Sequence, residues 1–406
     1  MKKFIMYGAG NIGRGFIGQT FSNAGYKVGF IDINMEVIDR LNSDKRYPVN
    51  IVTSLKNEET FVENVYGIDG KDLNLVAEEI ATCDAMATAI GVNVLRFIAK
   101  PISLGIKRRF ELGGAPLNII ICENLIGADE FLKGLILNEI PELKDYVESS
   151  VGFIEASIGR MVPVMTEEKK QGNPLRVYVE PYNILPVDKN SFKGEIIKDV
   201  KTLYPFTPFN LFIQRKLFMH NMSHAVLAYL GFLKGYEYIY QTVEDSELKF
   251  IALKVLTCSA ISVAKENGVE IDFLINHAED LLFRFTNRAL GDTIKRVGKD
   301  TKRKLSSNDR LIGALNLAEK HGVNASYLCL GIAAGLLFNP NDDESSVELS
   351  DFADKNGVKM ALEKYSLYTG KYVDLISEIY QMLKNGKNVA EVVSFIDNLN
   401  GKEIKV

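Results

Sequence analysis

The stretch GAGNIGRG, at residues 8–15, decides the fold of this chain. Gly8, Gly10 and Gly13 fit the spacing G-x-G-x-x-G, in which the first glycine permits a tight turn and the second lets the backbone approach a pyrophosphate. The third glycine lets a helix pack on a strand, and the N-terminus of that helix offers free N–H groups to phosphate. Because the apolar run 4–8 leads into this turn, the stretch predicts a strand–turn–helix unit that binds a dinucleotide.

An acidic residue stands where such a unit places its ribose ligand. Asp32 ends the apolar run KVGFID, and a carboxylate there accepts hydrogen bonds from ribose hydroxyls and repels a 2′-phosphate. A second turn, Thr88 to Gly91, ends a later strand; it lines the cofactor cleft or is merely a strand end. We therefore expect NAD as the cofactor, with these residues in contact: Gly8, Gly10, Asn11, Ile12, Gly13, Asp32, Thr88 and Gly91.

Hydrophobic patterning extends this unit into an α/β fold of two domains. Short apolar runs predict buried parallel strands at 4–8, 27–32, 85–91 and 117–124, with further β-rich segments at 150–156 and 175–182. From about residue 204 the pattern becomes helical, at 208–234, 244–267, 270–288, 309–321, 325–338, 356–364 and 371–384. We predict an N-terminal Rossmann-type domain, residues 1–195, and a mostly α-helical domain, residues 196–406. The boundary falls near the polar segment NILPVDKNSFKG.

Composition excludes several classes of protein. The 406 residues are 47% hydrophobic and 25% charged, which is ordinary for a globular enzyme. A net charge of −4 argues against nucleic acid or an anionic membrane as the partner. The N-terminal apolar run is too short for a signal peptide, and the weakly polar run 327–338 is shorter than the roughly 20 residues that span a bilayer. The four cysteines are far apart, which favours reduced thiols in a cytoplasmic protein.

A second motif, KLFMHNMSH at residues 216–224, places polar side chains in an apolar neighbourhood. On a regular α-helix, with Lys216 at zero, His220 falls near 40°, His224 near 80° and Asn221 near 140°, so all lie on one side. A partly desolvated lysine can serve as general base, and an asparagine amide can stabilise a developing alkoxide. The alternative is a solvated polar stripe. His220 and His224 also have a zinc-compatible spacing, but no third ligand is evident nearby, so we expect no metal.

With both motifs in view, the chain resembles the polyol-specific long-chain dehydrogenases, whose signature is K-x-x-x-x-N-x-x-H. It is most similar to their mannitol-1-phosphate 5-dehydrogenase branch. The segments that carry this resemblance are GAGNIGRGFIG at 8–18, CEN at 122–124, the signature at 216–224, and RKLSSNDR at 303–310.

The resemblance implies metal-independent, NAD-linked interconversion of mannitol 1-phosphate and fructose 6-phosphate. By it, Lys216 is the general acid/base, and Asn221 and Asn124 polarise the C2 oxygen of fructose 6-phosphate. His224 orients the sugar. The partner is thus a small sugar or polyol phosphate, and the sequence leaves the oligomeric state open.

One segment departs from the family pattern. The family has V-D-R-I-V-P, and this chain has IGRMVP at 158–163, so Gly159 replaces an aspartate that can hold a substrate hydroxyl. Arg160 is kept and is our candidate for a substrate contact. Either a substrate contact is lost, or water or Glu155 substitutes for it. Related activities therefore stay open: reduction of fructuronate or tagaturonate, oxidation of free mannitol, and a non-catalytic NAD(H) sensor.

A basic run offers a place for the substrate phosphate. Residues 295–304 read KRVGKDTKRK, with six basic side chains in a chain that is acidic overall. Such a run is often a solvated face, but arginine also grips phosphate bidentately. Arg303 and Lys304 are the favoured pair because they lie in the family-like segment, with Arg284 and Asn287 as secondary candidates.

Overall fold

A computed structural model describes residues 1–403. The chain divides into two compact units, of which unit 1 is Met1–Phe212 and unit 2 begins at Ile213. Unit 1 therefore extends beyond the domain 1–195 expected from sequence. The reason is that the segment taken as a polar connector contains a strand, Leu185–Asp188, which pairs in parallel with Leu203–Phe206.

Unit 1 contains all eleven strands of the described chain. They are β1 Lys3–Tyr7, β2 Lys27–Asp32, β3 Arg46–Val52, β4 Asn57–Glu63, β5 Val65–Asp69, β6 Ala85–Thr88, β7 Leu117–Ile121, β8 Val151–Glu155, β9 Val177–Val179, β10 Leu185–Asp188 and β11 Leu203–Phe206. Six of them form one sheet in the order β5-β2-β1-β6-β7-β8, and every pair in it is parallel. This order confirms the predicted Rossmann-type sheet.

The sheet is buried on both faces. Along β1, Phe4 and Met6 enter one apolar cluster while Ile5 and Tyr7 enter another on the opposite face. Successive side chains of a strand point to opposite faces, so a strand covered on both sides reads as one continuous apolar run. That is why the sequence predicted β1, β2, β6 and β7 with boundaries close to those observed.

A smaller sheet was not predicted. Strands β3 and β4 form an antiparallel hairpin, and β9 joins β3 in parallel to give the order β4-β3-β9. The strand β4 reads NEETFVE, and most of its residues are exposed. With so few apolar positions it carries little of the hydrophobic signal on which strand prediction rests.

The helices of unit 1 flank the large sheet. A π-helical segment, Gly13–Gly18, leads into α1. The α-helices are α1 Gln19–Asn23, α2 Met35–Asp44, α3 Leu73–Ala81, α4 Leu95–Glu111, α5 Ala128–Glu139, α6 Lys144–Ser150 and α7 Glu167–Lys170, with α8 Asn210–Gln214 at the end of the unit.

Unit 2 is helical, as predicted. Two of its segments are π-helical, Arg215–Asn221 and Leu362–Ser366. Its α-helices are α9 Met222–Leu233, α10 Ile239–Glu244, α11 Ser246–Asn267, α12 Asp272–Phe285, α13 Ile294–Gly298, α14 Thr301–Lys304, α15 Ile312–Lys320, α16 Ser326–Leu336, α17 Glu344–Asn356, α18 Val358–Ala361, α19 Val373–Lys384 and α20 Val389–Glu403. Helices α17 and α20 were not predicted; five of the 13 residues of α17 are charged, and only four are buried.

The cysteines and the apolar helices can also be compared with what the sequence predicted. All four cysteines are buried thiols outside any disulfide, as expected of core residues. Within residues 1–403, no helix combines the length and apolarity needed to cross a membrane.

Candidate active site

The glycine turn in unit 1 has the geometry that its spacing predicts. Gly8 has φ +105°, and a Cβ on it would lie 2.5 Å from the carbonyl oxygen of Ala89. A Cβ on Gly13 would lie 2.1 Å from the carbonyl oxygen of Gly8, so only glycine lets the helix begin this close to the strand. A Cβ on Gly10 would meet nothing within 4 Å. Gly10 therefore faces open space, as a backbone that receives a ligand must.

Asp32 lies directly beside this turn. Its Oδ2 accepts a hydrogen bond from the Ala9 N–H at 2.8 Å, and its Oδ1 accepts one from the Asn34 N–H at 3.0 Å. A cavity of about 530 Å³ opens here, and its walls include Gly10, Asn11 and Asp32. The residues present thus suit the phosphate and ribose of a dinucleotide. Ile12 packs instead against the apolar cluster beneath the turn.

An arginine in the same motif was missed by the sequence reasoning. Arg14 is 5% exposed and lines the cavity. Its guanidinium donates to the carbonyl oxygens of Ala9, Leu175 (3.1 Å from Nε) and Pro174 (3.4 Å from Nη2). Burial lowers its pKa. The only signal in the sequence was a charged residue between two glycines of a helix that had to pack closely on the strand. A charged side chain buried in this way needs hydrogen-bond partners inside the protein.

The turn after β6 is held by a carboxylate from the neighbouring strand. Glu123, which is buried, accepts hydrogen bonds from the N–H groups of Ile90 at 3.0 Å and Gly91 at 2.9 Å. The Thr88 side chain is also buried, and its hydroxyl has no partner among the described residues. Asn124 follows Glu123 and is exposed. The structure thus brings Thr88, Gly91 and Asn124 to one edge of the sheet, where the carboxyl ends of parallel strands bind ligands.

In unit 2, Lys216 and Asn221 both lie in the π-helical segment Arg215–Asn221. Because a π-helix closes its hydrogen bonds from i to i+5, residues five apart lie on the same side of the helix, one turn apart. His224 follows Asn221 by three residues in α9, a spacing that keeps side chains adjacent. The structure therefore differs from the regular α-helix assumed above, in which Lys216 and Asn221 are about 140° apart. The helix types therefore favour one side of the helix for all three residues.

His224 sits in a buried, mixed environment. Its ring stacks on Phe285, with centroids 4.8 Å apart and planes at 20°. Its Nε2 lies 3.6 Å from Oδ2 of Asp292. Burial lowers the pKa of His224 to about 4, with Asp292 opposing and Arg296, Lys304 and Arg310 adding to the effect. The ring is therefore neutral at physiological pH, able to donate through one nitrogen and accept through the other.

His220 packs against the same aromatic ring but is more deeply buried. Its ring meets Phe285 edge-on at 5.8 Å, and burial holds its pKa well below the usual value, helped by Arg284, His224, His277 and Lys216. The sequence left a zinc site at His220 and His224 as an alternative. Among residues 1–403, no group of three or more His, Cys, Asp and Glu side chains is placed to hold a metal ion.

Arg160 and Gly159 lie against other parts of unit 1. The Arg160 side chain is buried; its Nε donates to the carbonyl oxygen of Glu180 at 2.9 Å and its Nη1 to Gly15 O and Gln19 Oε1. Burial lowers its pKa to about 10. A Cβ on Gly159 would lie 3.2 Å from the ring of Tyr182. A larger residue at position 159 would therefore press on that ring.

The basic run divides into an inward and an outward part. Lys304 is buried, donates to the carbonyl oxygens of Val297 and Lys299, and has a pKa lowered to about 7 by burial and by Arg310 and Arg303. Arg303 is half exposed and pairs with Asp300 at 2.6 Å and Asp309 at 3.0 Å. The run is thus only partly a solvated face, because Lys304 is buried against the carbonyl oxygens of Val297 and Lys299.

The secondary candidates lie on and after α12. Arg284 is buried, and its Nη1 lies 3.3 Å from Asp280. Asn287 caps a short 3₁₀-helix, accepting from the Ala289 N–H at 3.2 Å.

Two family models and several relatives of this chain all belong to the mannitol dehydrogenases. The model of the mannitol dehydrogenase Rossmann domain matches residues 2–198, and that of the mannitol dehydrogenase C-terminal domain matches residues 209–398. A mannitol-1-phosphate 5-dehydrogenase of Clostridium acetobutylicum is 37% identical over 94% of this chain and 99% of its own length. One of Brevibacillus brevis is 40% identical over 84% of this chain and 88% of its own length.

Solved structures with low identity share the fold. A D-sorbitol dehydrogenase in substrate-free form superposes with a TM-score of 0.80 at 16% identity, covering 96% of this chain and 94% of its own. A Pseudomonas fluorescens mannitol 2-dehydrogenase, solved as a ternary complex with NAD and D-mannitol, gives a TM-score of 0.75 at 15% identity, covering 99% and 94%.

Proposed function

The chain belongs to the mannitol dehydrogenase family and is a polyol-phosphate dehydrogenase, and from this premise we propose that it interconverts mannitol 1-phosphate and fructose 6-phosphate with NAD. The observation that carries the proposal is that Lys216 and Asn221 lie in one π-helical segment, directly before the α-helix that carries His224. The names of the relatives supply the substrate, and the glycine turn with Asp32 supports the cofactor.

Lys216 acts as the general base in the direction of oxidation. It takes the proton from the C5 hydroxyl of mannitol 1-phosphate while that carbon loses a hydride, so that a C–H bond and an O–H bond break and a C=O bond forms. NAD supplies the acceptor for the hydride. In the direction of reduction, Lys216 returns the proton to the C2 oxygen of fructose 6-phosphate. Such positioned proton transfer contributes about 10²–10⁴-fold to the rate.

Side-chain amides stabilise charge on the reacting oxygen. Asn221 and Asn124 donate hydrogen bonds to the oxygen as it develops alkoxide character, the function of an oxyanion hole. The neutral ring of His224 orients a substrate hydroxyl. Its low pKa supports this role, because an imidazolium cannot accept a hydrogen bond.

We propose the cofactor contacts predicted from sequence, with a distinction among them. Gly10, Asn11 and Asp32 contact the nucleotide, since they line the cavity. Gly8 and Gly13 shape the turn, and Ile12 supports it from the core. Thr88 and Gly91 flank the nicotinamide end, and Glu123 holds the turn through the N–H groups of Ile90 and Gly91.

For the substrate phosphate we retain Arg303 and Lys304. The support is the cluster of cationic side chains, since burial, helped by Arg310 and Arg303, lowers the pKa of Lys304 to about 7 and a bound phosphate would raise it again. Lys304 now donates to the carbonyl oxygens of Val297 and Lys299, so a phosphate would have to compete with these acceptors. Arg160 we assign to the integrity of unit 1 instead of to substrate, because its Nε and Nη1 already donate to Glu180, Gly15 and Gln19.

The test is a panel of carbonyl substrates. NADH absorbance is followed with fructose 6-phosphate, fructose, fructuronate and tagaturonate, each across a concentration series. The expected result is the highest kcat/KM with fructose 6-phosphate. If fructose is reduced faster than its phosphate, the proposed phosphate site is wrong. If none of the four compounds is reduced above the background rate, the substrate assignment is wrong.

A related activity is the second candidate, and Gly159 favours it. The ring of Tyr182 lies against the position where the family has an aspartate, so the substrate contact expected of that aspartate is absent. Fructuronate or tagaturonate reduction, or oxidation of free mannitol, would give a different order in the same panel. Turnover of any of these substrates excludes a non-catalytic NAD(H) sensor.

A further inference from the structure

Asp292 faces the buried edge of the His224 ring. The Oδ2 of Asp292 lies 3.6 Å from Nε2 of His224, and the two side chains are only 12% and 14% exposed. That distance is slightly beyond a hydrogen bond. Nε2 is nevertheless fully buried, and it has no hydrogen-bond partner among the described residues. The Asp292 carboxylate is thus the nearby acceptor for His224 Nε2, a buried polar atom that requires a hydrogen-bond partner.

Asp292 is itself held firmly. Its carbonyl oxygen accepts from the Ile239 N–H at 2.9 Å, and the following Ile294 N–H donates to Glu237 O at 2.8 Å. These two bonds join the segment to the start of α10 at an isolated antiparallel bridge. On the side-chain end, Oδ1 of Asp292 pairs with the guanidinium of Arg296 on α13. The carboxylate is therefore fixed from two directions.

The His224 ring is fixed by a third contact. Phe285, which is 3% exposed, covers one face of the imidazole at 4.8 Å. Stacking fixes the plane of the ring but not which of its two nitrogens carries the proton. The hydrogen bond made by one nitrogen sets this tautomer. A carboxylate only accepts hydrogen bonds, so Asp292 favours the proton on Nε2. Nδ1 is then left as an acceptor.

We propose that Asp292 is a positioning residue that keeps His224 in the Nε2–H tautomer, so that Nδ1 accepts a hydrogen bond from a hydroxyl of the polyol. The role in turnover rests on the proposed function, whereas the tautomer is a property of the protein alone. Arg296 assists by holding the carboxylate in register. The 3.6 Å contact closes to a hydrogen bond in the substrate complex, since catalytic hydrogen bonds are often long in free enzymes.

The tautomer can be read directly in the full-length protein. With only four histidines, ¹⁵N-histidine labelling and a His224→Gln variant assign the ring signals. At pH 7, the wild-type protein should show His224 with a protonated Nε2 and an unprotonated Nδ1. A protonated Nδ1 in the wild type overturns the proposal without any variant that has to fold.

The Asp292→Asn variant tests the cause. An amide at position 292 can donate to Nε2, so the expected result is a shift toward the Nδ1–H tautomer. The value of kcat/KM should fall about tenfold, as for the loss of one hydrogen bond, and mainly through KM. The matched control is Asp342→Asn, which removes a carboxylate that is 73% exposed beside Lys295 at the start of the basic run. It should change neither tautomer nor KM. An unchanged tautomer in Asp292→Asn overturns the proposal even if activity falls.

The two proposals fail separately. If the tautomer shifts as expected but no polyol or ketose phosphate is turned over, the positioning role of Asp292 stands and the proposed function fails. If fructose 6-phosphate is reduced and Asp292→Asn leaves the tautomer as it was, the function stands and the positioning role fails.

Discussion

Lys216 and Asn221 stand five residues apart within one π-helical segment, Arg215–Asn221, and a helix that bonds from i to i+5 favours the same side for both. In a regular α-helix the same spacing would separate them by about 140°. Segments of this kind occur frequently at functional sites. The helix type thus accounts for the spacing of the signature, and it favours one side of the helix for the proposed general base and the proposed alkoxide donor.

Replacing Lys216 should abolish most of the chemistry and leave the cofactor site intact. Lys216→Ala is expected to lower kcat by about 10²–10⁴-fold, the usual contribution of a general base. NADH fluorescence should give an unchanged Kd, because the glycine turn belongs to unit 1. The control is Lys249→Ala, an exposed lysine on α11. Near-normal turnover in Lys216→Ala would remove Lys216 from the mechanism.

The glycines of the turn should separate folding from cofactor binding. Gly13→Ala places a Cβ against the carbonyl of Gly8 and should reduce the free energy of unfolding by about 1–3 kcal/mol. The Cβ of Gly10→Ala would lie in open space, so the free energy of unfolding should stay unchanged. NADH binding should weaken by about tenfold, because the added methyl group stands where the pyrophosphate approaches the backbone. Urea unfolding and NADH titration measure the two effects. Gly134→Ala on α5, which also meets nothing within 4 Å, should leave NADH binding unchanged; equal behaviour of all three variants would contradict this division.

Asp32 should set the preference for the cofactor. Asp32→Ala removes an acceptor for ribose hydroxyls and a repulsion toward a 2′-phosphate, so kcat/KM should fall more for NADH than for NADPH. The variant also frees the N–H groups of Ala9 and Asn34, which adds a general loss for both cofactors. Asp39→Ala, an exposed aspartate on α2, is the control. An unchanged ratio of the two kcat/KM values would mean that Asp32 does not touch the ribose.

Stability should fall in mild acid. The pKa of His224 is lowered to about 4, and those of His220 and His277 are also held well below the usual value by burial. At pH values below the unfolded pKa near 6.5 and above the lowered folded pKa, a histidine binds a proton in the unfolded chain but not in the folded chain. The free energy of unfolding therefore decreases as pH falls through this window, by about 1.4 kcal/mol per pH unit for each histidine.

Urea unfolding at several pH values between 7 and 5 measures this slope. A His224→Asn variant should lose one histidine's share of it. A free energy of unfolding that does not change between pH 7 and pH 5 in the wild type would show that these rings take up protons without unfolding.

Activity should survive a strong chelator. The proposed proton transfer uses Lys216 and the proposed charge stabilisation uses Asn221 and Asn124, so no step requires a metal ion. Turnover of fructose 6-phosphate after incubation with EDTA and gel filtration should match the untreated protein. Loss of activity that zinc restores would revive the His220–His224 zinc site as the correct interpretation.

The sequence alone determined the parallel sheet and the nucleotide turn, because both depend on local chemistry. The run before Gly8 is apolar throughout since β1 is covered on both faces, and Gly8 and Gly13 are required by close backbone approach. Such constraints act on neighbouring residues and leave a readable pattern. The β3–β4 hairpin escaped because β4 is mostly exposed and polar.

Tertiary structure decided where the polar side chains point. Sequence could name Arg160 and Lys304 as charged residues in family-like segments, but only the folded chain shows both buried and bonded to carbonyl oxygens. It also revealed Glu123 under the turn at Gly91 and Asp292 beside His224. These partners are 32 and 68 positions away along the chain. Contacts between residues so far apart are set by packing, and packing leaves no periodicity in the sequence to predict them.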